Sequence, residues 1–149
     1  MIDHVSLGVS DFKRSVAFYK AVLKPLGFKL IMTWEENAGF GVPGKPFFWI
    51  GTPGYSGPIQ GAGTHTAFTA PDRKSVDAFY KAALKHGATD NGGPGLRPHY
   101  HPNYYGAFLI DPDGHRIEAC CHKPEAKAKS PAKPKAKAKK AKAKTKSRR

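Results

Sequence analysis

Val5, Leu7 and Val9 alternate with His4, Ser6 and Gly8, a period of two that predicts a half-buried strand at the start of the chain. Ser10 or Asp11 is placed to cap the helix that follows. Its apolar stripe, Val16, Tyr19, Ala21 or Val22, and Leu23, ends where Pro25 and Gly27 stop it near Leu26. Three extended runs come next, 28–34, 38–42 and 46–50, parted by Gly41, Pro43 and Gly44. The pattern then restarts. Phe68 and Ala70 alternate with His65, Ala67 and Thr69, Asp72 caps, and Ala78, Phe79, Ala82 and Ala83 face inward until His86 and Gly87. A short strand near Ala88, a Gly- and Pro-rich loop over 91–102 and strands at 104–110 and 115–121 complete the second pass. The last two strands are joined by the hairpin turn Asp111, Pro112, Asp113, Gly114.

The two passes are a true repeat. Residues 4–23 align with 65–84 at a constant offset of 61, with nine of twenty positions identical, among them His4/His65, Asp11/Asp72, Phe18/Phe79 and Tyr19/Tyr80. The expected class is α+β, built from two tandem βαβββ modules, 1–50 and 64–122, with 51–63 as linker.

Composition changes this picture at one end only. The 149 residues carry a net charge of +14, which alone would point to a polyanion binder. Residues 1–122 hold twelve Lys and Arg against ten Asp and Glu, whereas 123–149 hold thirteen against the single Glu125. The domain is nearly neutral and the charge belongs to a tail of Lys, Ala, Pro, Ser, Thr and Arg, which cannot build a core and is expected to be disordered. Its composition resembles the tails of linker histones and of some bacterial nucleoid proteins. Lys133, Lys135, Lys137, Lys139, Lys140, Lys142, Lys144, Lys146, Arg148 and Arg149 are its candidate contacts to nucleic acid, sequence-blind and salt-sensitive, since the segment has no aromatic ring to stack on bases. No run of 18 apolar residues and no basic-then-apolar leader occurs, so a soluble cytoplasmic protein without a membrane partner is expected, with the tail a route to nucleoid association. Cys120 and Cys121 are adjacent and point to opposite faces of a strand, which excludes a disulfide framework.

Strand phase locates the candidate chemistry. His4 lies with Ser6 and Gly8, opposite the row that covers the helix, and His65 lies with Ala67 and Thr69. In the last strand Ile117 and Ala119 face the helix, which leaves Glu118 with Arg116 and Cys120. Two imidazoles and a carboxylate thus share the sheet face turned from the helices, a donor set suited to a divalent metal, Fe(II), Mn(II) or Zn(II). The segment Arg97 to Tyr105 is a second concentration: His99 or His101 as general base, Arg97 as substrate clamp, Tyr104 and Tyr105 as phenol donors. Phe47, Phe48, Trp49 and Phe108 form an apolar wall, although Phe47 and Phe48 cannot both face the cleft. His86, His115 and His122 read as surface or turn residues.

These residues resemble the vicinal oxygen chelate superfamily of glyoxalases, extradiol dioxygenases, and fosfomycin- and bleomycin-resistance proteins. The likeness covers about residues 1–122 and rests on the octapeptide His4 to Asp11, on Ala17 to Ala21 and on Asp111 to Glu118. It implies paired modules in an incomplete barrel around a cleft. It also implies a metal held by a His on the first strand of each module and a Glu on the last strand of the second, roles that fall on His4, His65 and Glu118. The glyoxalase branch takes a fourth ligand from the last strand of module one, where this chain has Trp49. Three ligands with an open face look more like the dioxygenase or fosfomycin-transferase pattern.

The first functional expectation is therefore a small metalloenzyme that chelates vicinal oxygens of a small molecule. The alternative is a binding protein that sequesters a flat drug or metabolite without turnover. A third, in which the tail is the main function and the domain a scaffold, gives the inward histidines no purpose. A homodimer is expected, because modules of such proteins pair within one chain or swap between two.

Overall fold

The computed structural model describes residues 2–53, 59, 61 and 63–125; the candidate nucleic-acid contacts from Lys133 to Arg149 and most of 54–62 lie outside them. Module one runs β1 (Val5–Gly8), α1 (Phe12–Leu23), a 3-10 turn (Lys24–Leu26), β2 (Lys29–Trp34), β3 (Asn37–Val42) and β4 (Lys45–Gly51). Module two runs β5 (His65–Thr69), α2 (Arg73–Lys85), β6 (Thr89–Asp90), β7 (Gly95–Leu96), β8 (Tyr105–Ile110) and β9 (Arg116–Cys121). The sheet orders are β1-β4-β3-β2 and β5-β9-β8-β6, with β7 also on β8, and the sheets do not close into a barrel. In each module the first strand runs parallel to the last. Where a single second strand was expected near Ala88, module two has two two-residue pieces, because Pro94, Pro98 and three glycines between 92 and 95 cannot sustain a ladder.

Both helices start at an aspartate, Asp72 as expected and Asp11 of the two candidates for the first. Asp11 Oδ1 accepts from the Arg14 amide (3.0 Å) and Asp72 Oδ1 from the Ser75 amide (2.8 Å), each taking up a donor that the first helical turn leaves unpaired. One apolar cluster unites the modules: Phe18, Tyr19, Val22, Phe40, Phe48 and Ile50 of the first join Phe68, Phe79, Leu109 and Ile117 of the second. The Phe48 and Phe68 rings meet edge to face at 5.0 Å. Burying each such side chain contributes about 1.5–3 kcal/mol, so the modules fold against each other and not as separate beads.

Two expectations are corrected here. Phe48 is fully buried toward the helices. A register shift between Phe40 and Gly41 accompanies the packing of Phe47 on Phe28, ring centroids 4.9 Å apart, and both Phe47 and Phe48 border the cleft that His4 and His65 line, where alternation allowed only one of them. His115 is no surface residue: it is 1% exposed, and its Nδ1–H donates to Asp111 Oδ2 (2.9 Å). The same oxygen accepts from Tyr19 on α1 (2.5 Å), while Oδ1 takes the amides of Asp113 (2.9 Å) and His115 (2.8 Å). Burial, with Asp111 next to it, holds the Tyr19 phenol well above its ordinary pKa, so it stays a donor. Asp113 in turn takes the Ser10 amide (3.0 Å), Ser15 Oγ (3.0 Å) and Arg14 (2.9 Å). The hairpin turn of module two is thus the clasp onto the helix of module one. Among the described residues no helix is long and apolar enough to cross a membrane.

Candidate metal centre

Alternation along β9 sends Ile117, Ala119 and Cys121 to the core and Glu118 and Cys120 to the opposite face. Glu118 is nonetheless only 2% exposed. It sits between Ala67 of β5 and Phe108 of β8 in the ladder, and the missing side chain of Gly106 gives it room: a Cβ there would stand 3.0 Å from Glu118 Oε1. Leaving such a carboxylate without partners would cost several kcal/mol. It has two. His65 Nε2 lies 3.1 Å from Oε2, and the Tyr104 hydroxyl donates to Oε1 at 2.6 Å. Burial first, then Glu118 and Cys120, raise the Tyr104 pKa far above that of a free phenol, so the hydroxyl remains a donor to the carboxylate. Burial likewise raises the Cys120 thiol.

The His65–Glu118 separation suits one edge of a coordination polyhedron, since two ligand atoms each about 2.1 Å from an ion stand roughly 3.0–3.4 Å apart. The pair has the right chemistry for a borderline divalent ion. A single chain does not complete the set. His4 points its Nδ1 at Asp3 (2.9 Å), and this hydrogen bond, followed by Lys45, lowers the Asp3 carboxyl below its ordinary pKa. Among the described residues no group of three or more His, Cys, Asp or Glu is gathered in a metal-holding arrangement. His4 and His65 do line one cleft of about 550 Å³ between the sheet edges, together with Phe28, Phe47 and Phe68.

Register fixes the counterpart of Glu118 in module one. Ser6 pairs with Trp49 as Ala67 pairs with Glu118, at the offset of 61, so Trp49 stands where the second module has its carboxylate. Its indole covers Gly39, within 2.9 Å of where a Cβ would lie.

The loop before β8 splits its residues. Arg97 donates to the carbonyls of Gly93 (2.8 Å) and Leu96 (3.2 Å) and lies over the Phe108 ring at 5.4 Å, and Phe108 is 6.3 Å from the His65 ring. His99 packs on Tyr100 (4.3 Å). Tyr105 is not brought to this face: one residue beyond Tyr104 it points toward α2, where its hydroxyl donates to Asp77 (2.8 Å) beneath Arg73. His101 Nε2 is 2.6 Å from Nδ1 of His122, the residue that the sequence reading set aside. The signal for His122 was present, because Glu118, Cys120 and His122 continue one alternation past the end of β9.

Two repeated units, with a His just before the first strand of one and opening the first strand of the other, and a Glu on the last strand of the second, form a recognisable plan. A family model, the Glyoxalase/Bleomycin resistance protein/Dioxygenase superfamily, matches residues 1–119. The chain belongs to this superfamily. It is 33% identical to a glyoxalase/bleomycin resistance protein from Albidiferax ferrireducens, with a TM-score of 0.72 over 80% of this chain and 97% of that one. A glyoxalase/bleomycin resistance protein/dioxygenase family enzyme from Burkholderia phytofirmans (21% identity, TM-score 0.61, 80% and 97% covered) shares the fold. So does a glyoxalase-related enzyme from Fulvimarina pelagi (16%, 0.63, 81% and 87%). The superfamily includes metal-dependent enzymes and non-catalytic binding proteins.

Proposed function

We propose that this superfamily member is a small metal-dependent enzyme acting on a small molecule that offers two adjacent oxygens. The observation that carries the reading is Glu118, a 2% exposed carboxylate held 3.1 Å from a half-exposed imidazole. His65 and Glu118 are two ligands for Fe(II), Mn(II) or Zn(II). His4 is the third, brought up when two copies pair as a homodimer. When bound, the ion supplies a Lewis acid to the two oxygens. The chain's own residues do the rest. Tyr104 holds Glu118 in place, Trp49 and Phe108 offer apolar surface to the substrate, and Arg97 holds the loop over Phe108. Of the two loop histidines, His99 moves the proton, since both ring nitrogens of His101 are engaged, by the Asn103 amide and by His122.

Zinc uptake measured by calorimetry on the full chain tests this. One ion per chain with His4, His65 and Glu118 each required supports the reading. No stoichiometric uptake, or uptake unaffected by Glu118→Gln, overturns it. The second reading, sequestration of a flat ligand without turnover, draws on the half-buried Trp49 indole and on the two-donor set of a single chain. It predicts ligand binding that survives both Glu118→Gln and chelator.

For the tail we propose sequence-blind contact with nucleic acid, in a cytoplasmic protein. Duplex binding that falls steeply with salt and vanishes in a chain ending at Glu125 supports it. Equal retention of both forms on DNA rejects it.

A further inference from the structure

The Tyr104 ring that supports Glu118 is itself boxed. Tyr100 meets it edge-on at 5.0 Å, His122 at 5.0 Å and His101 at 5.7 Å. The two imidazoles are joined through the 2.6 Å contact between His101 Nε2 and His122 Nδ1, with ring planes 19° apart, a hydrogen bond lying near the ring plane. This contact ties the loop before β8 to the residue just beyond β9.

Proton placement follows from the partners. The Asn103 amide donates to His101 Nδ1 at 3.0 Å, so that nitrogen carries a lone pair and the His101 hydrogen is on Nε2. Nε2–H then donates to His122 Nδ1, which leaves the His122 hydrogen on Nε2, 3.8 Å from Cys120 Sγ. The chain of donors runs one way, from the Asn103 amide to the thiol. Protonating either imidazole puts N–H against N–H, at Asn103 in one case and between the rings in the other. Both rings must be neutral for the tie to hold. The other titratable groups around the pair are Cys120 on β9, Tyr100, Tyr104 and His99 on the loop, Lys123 next in the chain, and Glu118 at the far end of Tyr104.

We propose that the His101–His122 pair is a positioning device for Glu118, acting through Tyr104, and that acidification releases it. The inference rests on the metal reading of Glu118 only for its effect on metal affinity. His122 is thus a positioning residue; it touches neither Glu118 nor His65 in the contacts described.

The test uses full-length protein and two exposed-site variants. In His122→Asn the side-chain oxygen replaces Nδ1 as acceptor and does not titrate; in His122→Phe the acceptor is gone. Nitrogen NMR of the metal-free protein at pH 8 is expected to show both histidines with hydrogen on Nε2, and the Tyr104 hydroxyl proton, held by Glu118, is expected to exchange faster with water in His122→Phe but not in His122→Asn. Zinc affinity is expected to drop at least tenfold in His122→Phe at pH 8, within the range for groups that orient a ligand. It is expected to be retained in His122→Asn, with a shallower decline toward pH 5.5 than the wild type. Hydrogen on Nδ1 of either ring, or Tyr104 hydroxyl exchange indifferent to both variants, overturns the inference. Failure of the wild type to bind zinc overturns the metal reading alone, since the NMR readouts need no metal.

Discussion

The two modules share a backbone plan and part ways on one sheet face. Facing the helices, Phe40, Phe48 and Ile50 in the first correspond to Leu109, Ile117 and Ala119 in the second, all buried. On the other face the first module sets Trp49 over Gly39, while the second sets Glu118 against Tyr104 beside Gly106. The turns differ as sharply. Pro43 and Gly44 close the β3–β4 hairpin with Gly44 in the left-handed region (φ 79°), and Asp111 to Gly114 close the β8–β9 hairpin while gripping α1. Folding constrains the helix side of both sheets alike, because one core spans them. The concave side and the turns are where duplicated halves have been free to acquire separate tasks.

The clasp is where this contrast breaks most visibly. Asp111→Ala strips the acceptor from the buried Tyr19 hydroxyl, the His115 ring and two amides, and is expected to cost about 3–5 kcal/mol, the range for breaking a buried charged network. The matching change in module one, Pro43→Ala, is expected to stay within about 0.5 kcal/mol. Denaturant unfolding of both variants checks the pair. A loss under about 1 kcal/mol for Asp111→Ala would show that the turn is not what fastens the modules.

The glycines give the next largest effect and sharpen the functional half of the comparison. Gly106→Ala places a methyl 3.0 Å from Glu118 Oε1 and 3.1 Å from the Tyr104 ring, so the carboxylate must shift. Zinc affinity is expected to fall about tenfold with little loss of stability, on the scale of ligand-orienting changes. Gly39→Ala meets the Trp49 indole at 2.9 Å instead. It is expected to cost about 1–3 kcal/mol as overpacking and to alter tryptophan fluorescence while leaving zinc affinity unchanged. Equal zinc affinities in the two variants would erase the distinction between the faces.

What the sequence made legible follows the same line. Period-two alternation placed Val9, Ile117 and Glu118 on their observed faces, and cap chemistry placed Asp72 and narrowed the first cap to Ser10 or Asp11, because these depend on local geometry that each copy carries within itself. Contacts between copies were not legible. Nothing in Asp111, Pro112, Asp113, Gly114 as a turn signal says that its carboxylates will meet Tyr19, Ser10, Ser15 and Arg14, some hundred residues earlier in the chain. Phe47 escaped for another reason: a one-residue register shift after Phe40 cancels alternation without leaving a mark in the hydrophobic pattern. His4 was grouped with His65 and Glu118 by phase alone. Phase fixes a face, and it does not fix the distance between faces of two sheets.

The smallest expected effect separates two of the aspartates whose carboxyls are held below their ordinary pKa, Asp113 and Asp72. For Asp113 burial works toward a higher value, and the hydrogen bonds from Ser10 and Ser15 with the charge of Arg14 outweigh it. Asp72 is lowered chiefly by the Ser75 amide, at an exposed cap. A carboxyl whose pKa is lower folded than unfolded adds stability above the unfolded value of 3.8 and loses it as pH falls through the folded value. Asp113→Asn is therefore expected to lower the melting temperature most near neutral pH, with the gap from wild type narrowing below about pH 4. Asp72→Asn keeps a side-chain oxygen that caps α2 at a solvent-facing end, so its gap is expected to be slight at every pH. Melting curves from pH 7 to pH 2.5 distinguish the cases. A constant offset for Asp113→Asn would mean that the hairpin grips α1 by shape and packing, with the charge on Asp113 contributing nothing to the join between modules.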